Sequence, residues 1–401
     1  MSVLAWVMGA TLALMGCGND VGSAGGSGGS GGAGGSPAAG FQELYDQGLT
    51  RYVGMFDPAN EPVTSETGVK TFQFAVPSDP AAEPRGPLCL RGTEYTIDTR
   101  EGASDELVIF LQGGGACWPE FCSAFEETNS LPPTGILNPD LAGNPVADWD
   151  IVYLPYCDGS LFAGDVDRVL PNSFGAPGES MGYQRGLQNL TAALDVGITE
   201  FPNPSRILLT GVSGGAFGTI TALPLVRFYY PETEILLFND SGVGVAKEGN
   251  PDFINETLIA GWNATSLVPA SCPECTSNGH ATRLIEWQLA ADENFKMSAL
   301  SFSADGVISV TFLMINPVNF TASLLAETER TTMLFPDRYK RFIPAGSAHT
   351  TLLRETSDDS GGGIQIGSLE TEIEGVTVLD WLTAMIDGTD AWVDLVDPSV
   401  Q

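Results

Sequence analysis

Ile207–Thr210 (ILLT) runs directly into Gly211-Val212-Ser213-Gly214-Gly215-Ala216, and a helical stretch, residues 215–228, follows. A short apolar strand, a G-x-S-x-G turn and a helix in that order form the context in which such a serine is a nucleophile. The reason is steric. A serine held in a tight, strained strand-to-helix turn tolerates no side chain two residues to either side, so glycine stands there. The start of the helix also aims free N–H groups at any negative charge that develops beside the serine. A glycine-rich turn by itself is only a turn. The flanking strand and helix are what make Ser213 the candidate nucleophile.

Working outward, apolar runs bounded by turn residues recur at Leu107–Leu111 (LVIFL), Ile151–Leu154 (IVYL), Ile235–Phe238 (ILLF) and Ala299–Phe302 (ALSF). They are short, rich in β-branched and aromatic residues, and do not alternate with polar residues. That pattern predicts strands buried on both faces of a parallel sheet. Helical stretches lie between them, including Tyr183–Val196. Strand–helix alternation predicts a doubly wound, mostly parallel α/β fold, read here as a single α/β-hydrolase-like domain over residues 41–401. Its ligands should sit at the carboxyl ends of the strands.

A serine nucleophile needs a base, and the chain has only 2 histidines, His280 and His349. His280 lies in a polar loop beside a Cys-x-x-Cys pair. His349 follows the apolar stretch 341–343 on a late loop, which suits the chain order Ser, Asp, His. The acid must then fall between Ser213 and His349. Asp240 follows the ILLFN run and Asp305 follows ALSFS. Asp305 is preferred, because its strand adjoins the loop leading to His349, and Asp240 is the alternative. Acyl transfer also needs preorganised N–H donors for the oxyanion. Gly214, directly after the nucleophile, supplies one. The triple glycine of Gln112-Gly113-Gly114-Gly115-Ala116-Cys117-Trp118, after a buried strand, supplies others. That loop fits neither the G-x-G-x-x-G nor the P-loop fingerprint of a phosphate site.

Charge excludes whole function classes. With 50 acidic against 17 basic residues the net charge is −33. Nucleic-acid binding and docking on anionic lipid through a basic patch are both disfavoured. Residues 3–15 (VLAWVMGATLALM) form an apolar run too short to span a bilayer and of signal-peptide length. The run ends at Leu14-Met15-Gly16-Cys17, which resembles a bacterial lipobox, although no Lys or Arg precedes it. Residues 1–17 are therefore expected to be a leader with Cys17 lipidated, and the Gly/Ser-rich residues 18–40 a flexible tether. The protein is expected to be exported, lipid-anchored at the cell envelope or secreted, with the membrane touched only through that anchor. Six further cysteines, at 89, 117, 122, 157, 272 and 275, favour disulfides of open connectivity. Cys272-Pro-Glu-Cys275 has no second pair to complete a zinc site, so no metal is expected. The N-x-S/T sequons at Asn189, Asn255, Asn263 and Asn319 are read as coincidental.

Five ordered segments resemble the pectin acetylesterases and the related Notum carboxylesterases. They are Gly113–Cys117 after Leu-Gln, Pro155-Tyr156-Cys157-Asp158-Gly159, the GVSGG elbow, Asp240-Ser241-Gly242, and Ser347-Ala348-His349. The resemblance covers about residues 41–395. It implies an α/β-hydrolase fold, deacylation through Ser213, Asp305 and His349 without a cofactor, and Gly114, Gly115 and Gly214 as oxyanion donors. Gln112, Ala116 and Thr350 depart from the family pattern. They border the acyl pocket, so the departures bear on the substrate. The expected function is a serine carboxylesterase, a monomer, acting on an acylated small molecule or polysaccharide. The alternatives are an inactive hydrolase-fold binding protein, or a thioesterase or serine peptidase with the same machinery. The stretch 310–325, rich in Met, Phe and Leu, is read as core rather than as an acyl-pocket wall.

Overall fold

The computed structural model describes residues 39–247, 249–277, 279–356 and 364–400. The expected leader with Cys17, and the tether up to residue 38, lie outside the described residues. Two residues assigned to the expected tether, Ala39 and Gly40, belong to the folded part. Ala39–Phe41 already forms a 3-10 turn, with Phe41 fully buried.

Ten strands form the central sheet: β1 (Val63–Thr64), β2 (Val69–Gln73), β3 (Thr96–Arg100), β4 (Leu107–Leu111), β5 (Asp150–Leu154), β6 (Arg206–Val212), β7 (Glu234–Asp240), β8 (Phe295–Leu300), β9 (Tyr339–Ile343) and β10 (Leu395–Val396). Their spatial order is β1-β2-β3-β5-β4-β6-β7-β8-β9-β10. Pairing is parallel from β5 to β10 and antiparallel from β1 to β5. From β2 to β9 this is the strand order of an α/β-hydrolase, with β4 and β5 exchanged in space.

The unbroken apolar runs have their predicted cause. Leu107, Ile109 and Leu111 of β4 face one core, while Val108 and Phe110 face the other. In β7, Ile235 and Leu237 face the first, and Leu236 and Phe238 the second. Helices α1 (Gly186–Glu200), α2 (Gly214–Tyr229), α3 (Thr282–Ala291) and α4 (Pro317–Leu334) bury Leu190, Ile220, Ile285 and Leu324 in the first core. Helix α5 (Val378–Ile386) buries Trp381 and Leu382 in the second. Each large apolar side chain so buried contributes about 1.5–3 kcal/mol relative to exposure. Local signals set the helix starts. Asn316 accepts from the Val318 amide with Pro317 in the first turn, and Thr377 and Asp380 form a reciprocal cap.

Two boundaries differ from the expected ones. Tyr183 and Gln184 belong to a strand, Glu179–Gln184, paired with Val166–Pro171, and the helix begins only at Gly186. Here Gly186 packs against the Phe162–Ala163 backbone, where a Cβ would sit 2.6 Å from a carbonyl carbon. That tertiary contact, invisible in local propensity, fixes the start. Strand β8 spans Phe295–Leu300 rather than 299–302, because its register follows β7 from Ile235 onward.

Three disulfides resolve the connectivity: Cys89–Cys157, Cys117–Cys122 and Cys272–Cys275. The last pairs both members of the Cys-x-x-Cys motif with each other. Cys89–Cys157 spans 68 residues. Replacing both of its cysteines by alanine is expected to lower stability by about 4 kcal/mol, from the longer loop left free in the unfolded chain. Equilibrium urea unfolding measures this, and a loss under about 1 kcal/mol would contradict the loop-closure argument. Among the described residues no cluster of three or more His, Cys, Asp or Glu is placed to hold a metal, and no helix is long and apolar enough to cross a membrane.

Candidate active site

Strand β6 delivers Ser213 to the carboxyl end of the sheet, and α2 begins at the next residue. Ser213 has φ 55° and ψ −120°, a left-handed conformation that a non-glycine residue holds only under constraint. The constraint is visible. The Ser213 amide donates to the Asp240 carbonyl (2.8 Å), and its own carbonyl accepts from Phe217 (3.1 Å). The motif glycines have a matching explanation. A Cβ on Gly211 would lie 2.6 Å from the Gly215 carbonyl oxygen, and one on Gly215 would lie 2.0 Å from that of Leu111. Any side chain at either position would push the turn off the sheet.

The structure brings Asp305 to His349. Nδ1 of His349 lies 2.8 Å from Oδ2 of Asp305, with the carboxylate fully buried. A carboxylate only accepts, so Nδ1 carries the proton and Nε2 is left as the proton acceptor. The other carboxylate oxygen accepts from the amides of Val307 (2.9 Å) and Ile308 (3.0 Å), which fixes the plane of the carboxylate. Ser213 and His349 line the same cavity.

Asp240 serves differently. Its Oδ2 accepts from the amides of Thr351 (2.6 Å) and Leu352 (2.9 Å), not from the imidazole. Burial pushes its pKa up to about 6, opposed by those two amide bonds and by the neighbouring His349 charge. His280 is elsewhere. Its Nδ1 accepts from the Ala246 amide (2.8 Å), its Nε2 lies 3.9 Å from Glu327, and it does not line the Ser213 cavity. Burial holds its pKa below the usual imidazole value.

The glycine loop after β4 lies against the elbow. A Cβ on Gly113 would approach the Ser213 Cβ to 2.9 Å, and one on Gly214 would lie 3.6 Å from the Gly114 nitrogen. The Gly114 and Gly214 backbones thus flank one spot beside Ser213, and the first amides of α2 have no partner within the helix. Gly115 (φ 88°) turns the chain into the hairpin Gly115–Trp118/Phe121–Ala124, which the Cys117–Cys122 bridge ties across.

The cavity measures about 550 Å³ and is mostly apolar. Phe121, Phe217 and Phe312 form one wall, backed by Trp118, whose ring stacks on Phe121 at 4.6 Å. Phe125 and Phe174 stand at the solvent side, 42% and 66% exposed. The stretch 310–325 divides. Thr311 and Phe312, with Val307 and Ile308 before them, line the cavity, while Phe320 and Leu324 are core. Two other features went unanticipated. Tyr156 lies under Gly114 and accepts from the Leu161 amide (2.9 Å), and Gln112 accepts from the Tyr156 amide (3.0 Å). The Pro155–Gly159 segment carried a signal through its motif. The role of Phe217, inside an all-apolar helix, did not.

Residues 80–272, a little under half of the chain, match the pectinacetylesterase family. The chain is 28% identical over 166 residues to pectin acetylesterase 4 of Arabidopsis thaliana, covering 38% of this chain and 39% of that one. Over 214 residues it is 24% identical to pectin acetylesterase 11 of the same plant, covering 48% and 53%. The chain thus spans about two fifths to half of the length of these curated relatives. Ser213 and the glycine loop fall within the family match, whereas Asp305 and His349 lie beyond it.

Proposed function

We propose that the chain is a member of the pectinacetylesterase family, which it matches over residues 80–272, and an exported serine carboxylesterase that removes O-acyl groups through Ser213, His349 and Asp305. The observation that carries this reading is the His349–Asp305 bond at 2.8 Å, opening on the cavity that holds the strained Ser213. Asp305 and His349 come from outside the segment matched to the family, so their meeting is independent support.

In the reaction, His349 Nε2 takes the Ser213 hydroxyl proton as the oxygen attacks the ester carbonyl. The oxyanion rests on the amides of Gly214 and Gly114, with Gly115 as a further donor. Collapse expels the alcohol, protonated by His349. Water, activated by the same imidazole, then releases the acid. Asp305 holds the Nδ1–H tautomer and stabilises the imidazolium. Three disulfides suit an oxidising, extracytoplasmic compartment, as do the expected leader, Cys17 lipidation and tether. A fluorophosphonate probe should label Ser213 stoichiometrically. Absence of labelling would favour the inactive binding-protein reading instead.

The relatives' names carry acetyl on pectin. The cavity here has room and apolar lining for a longer acyl group, and the −33 charge disfavours a polyanionic de-esterified pectin. Each buried methylene is worth about 0.8 kcal/mol, roughly fourfold. On p-nitrophenyl esters, kcat/KM is expected to climb by about that factor per methylene from acetyl to hexanoyl. A profile that peaks at acetyl would reject the longer-acyl assignment.

A further inference from the structure

Asp240 and Ser241 lie between the nucleophile and the base, touching the chain on both sides. The Asp240 carbonyl accepts the Ser213 amide at 2.8 Å. Its carboxylate accepts the Thr351 amide at 2.6 Å, the Leu352 amide at 2.9 Å and the Thr351 hydroxyl at 3.2 Å. The Ser241 hydroxyl accepts the Thr350 amide at 3.1 Å. The Ser241 amide donates to the Leu300 carbonyl at 2.8 Å, at the end of the strand that leads to Asp305. The two residues therefore contact the nucleophile, the three residues after the base, and the strand feeding the acid.

Backbone strain marks the same place. Ser241 (φ 72°) and Thr350 (φ 56°) are both non-glycine residues in the left-handed region, and they are hydrogen-bonded to each other. Such conformations cost on the order of 1–3 kcal/mol each and persist only where surrounding contacts over-determine them. Here the contacts are those of the dipeptide itself. Asp240 and Ser241 are essentially inaccessible to solvent, at 0% and 1% exposure, so neither is available to contact substrate.

We propose that Asp240 and Ser241 are positioning residues of the esterase reaction, setting the separation of Ser213 and His349. The proposal rests on the serine-esterase reading above. Asp240 holds the base's loop by its side chain and the nucleophile by its backbone. A shift in one is thus transmitted to the other, and Asp240 acts through Ser213 and His349 without entering the chemistry.

The test compares wild type, Asp240→Asn and Ser241→Ala in the full chain on p-nitrophenyl butyrate. Both loop amides converge on Oδ2, which the asparagine oxygen can replace only as an uncharged, weaker acceptor, while its NH2 takes the place of Oδ1 and cannot accept from the Ser241 hydroxyl at 3.4 Å. kcat is expected to fall about 10- to 100-fold in Asp240→Asn, since displacements near 1 Å cost that much, with KM within about twofold. Ser241→Ala loses one acceptor and should fall several-fold in kcat. It also keeps the proposal testable should Asp240→Asn fold poorly. Proton NMR gives a readout that stability alone does not move. The low-field resonance of the His349 Nδ1 proton should shift or broaden in both variants at temperatures well below their Tm. Unchanged kcat and an unchanged resonance in folded variants would overturn the proposal, as would losses in kcat that follow only the fraction unfolded. Wild type that neither turns over the ester nor reacts with the phosphonate would instead reject the esterase reading. The resonance comparison would still report on the positioning contacts.

Discussion

Replacing Ser213 by alanine is expected to lower kcat on a p-nitrophenyl ester by about 10⁴- to 10⁶-fold, leaving only what the oxyanion donors and binding achieve alone. The size follows from the covalent mechanism. Without Oγ no acyl-enzyme forms, and water must attack the carbonyl directly, with His349 placed for a different nucleophile. Binding should survive, because the cavity walls are Phe121, Phe217 and Phe312 and none of them changes. The fold should survive as well. The hydrogen bonds at the elbow use the Ser213 amide and carbonyl, not its hydroxyl. His349→Ala should fall into the same range, and the double variant should be little worse than either, because the two act as a unit. A Ser213→Ala protein with more than about a tenth of wild-type turnover would show that the nucleophile lies elsewhere.

Asp305→Asn is expected to cost about 10³- to 10⁴-fold in kcat, roughly 4–5.5 kcal/mol of transition-state stabilisation. Geometry decides the mechanism of that loss. Oδ1 of Asp305 accepts two backbone amides, Val307 and Ile308, so an asparagine oxygen would stay there. Its NH2 would then face Nδ1 of His349 and donate to it. That forces the proton onto Nε2, the nitrogen that must accept from Ser213. The protein should stay folded and still bind substrate while holding the wrong tautomer. Asp240→Asn, by contrast, leaves the tautomer intact and should be milder by one order of magnitude or more. If Asp240→Asn proved the more damaging of the two, Asp240 would be the acid and Asp305 a loop brace. Steady-state kinetics of both variants at matched folded concentration make the comparison.

Much of the fold was legible along the chain because its cause is local. Buried parallel strands need both faces apolar, and the runs at 107–111, 207–210 and 235–238 say so directly. The elbow was legible because steric crowding leaves one kind of residue at Gly211 and Gly215. The helix after Glu179–Gln184 was misplaced because its start is set by packing against Phe162 and Ala163, more than twenty residues earlier. Ala39 and Gly40 were not legible as folded for a similar reason, since the turn Ala39–Phe41 is anchored by Phe41 entering the core. Disulfide connectivity was illegible because spacing does not encode which strands run side by side. Cys89 and Cys157 meet only through the fold.

Sequence by itself determined the chemistry available: one serine in a strand–turn–helix frame, two histidines, two strand-end aspartates and a triple glycine. Those are statements about local sterics and about scarcity, and both are written along the chain. Only the tertiary structure shows which carboxylate meets which histidine. It placed Asp305 on the imidazole and gave Asp240 the backbone of the imidazole's loop, although one aspartate ends a strand and the other follows the neighbouring parallel strand. It also shaped the apolar cavity from residues as distant as Phe121 and Phe312. The physical reason is the same in both cases. A hydrogen bond or a cavity wall depends on where loops from separate strands meet at the sheet's edge, and no spacing within one segment carries that distance.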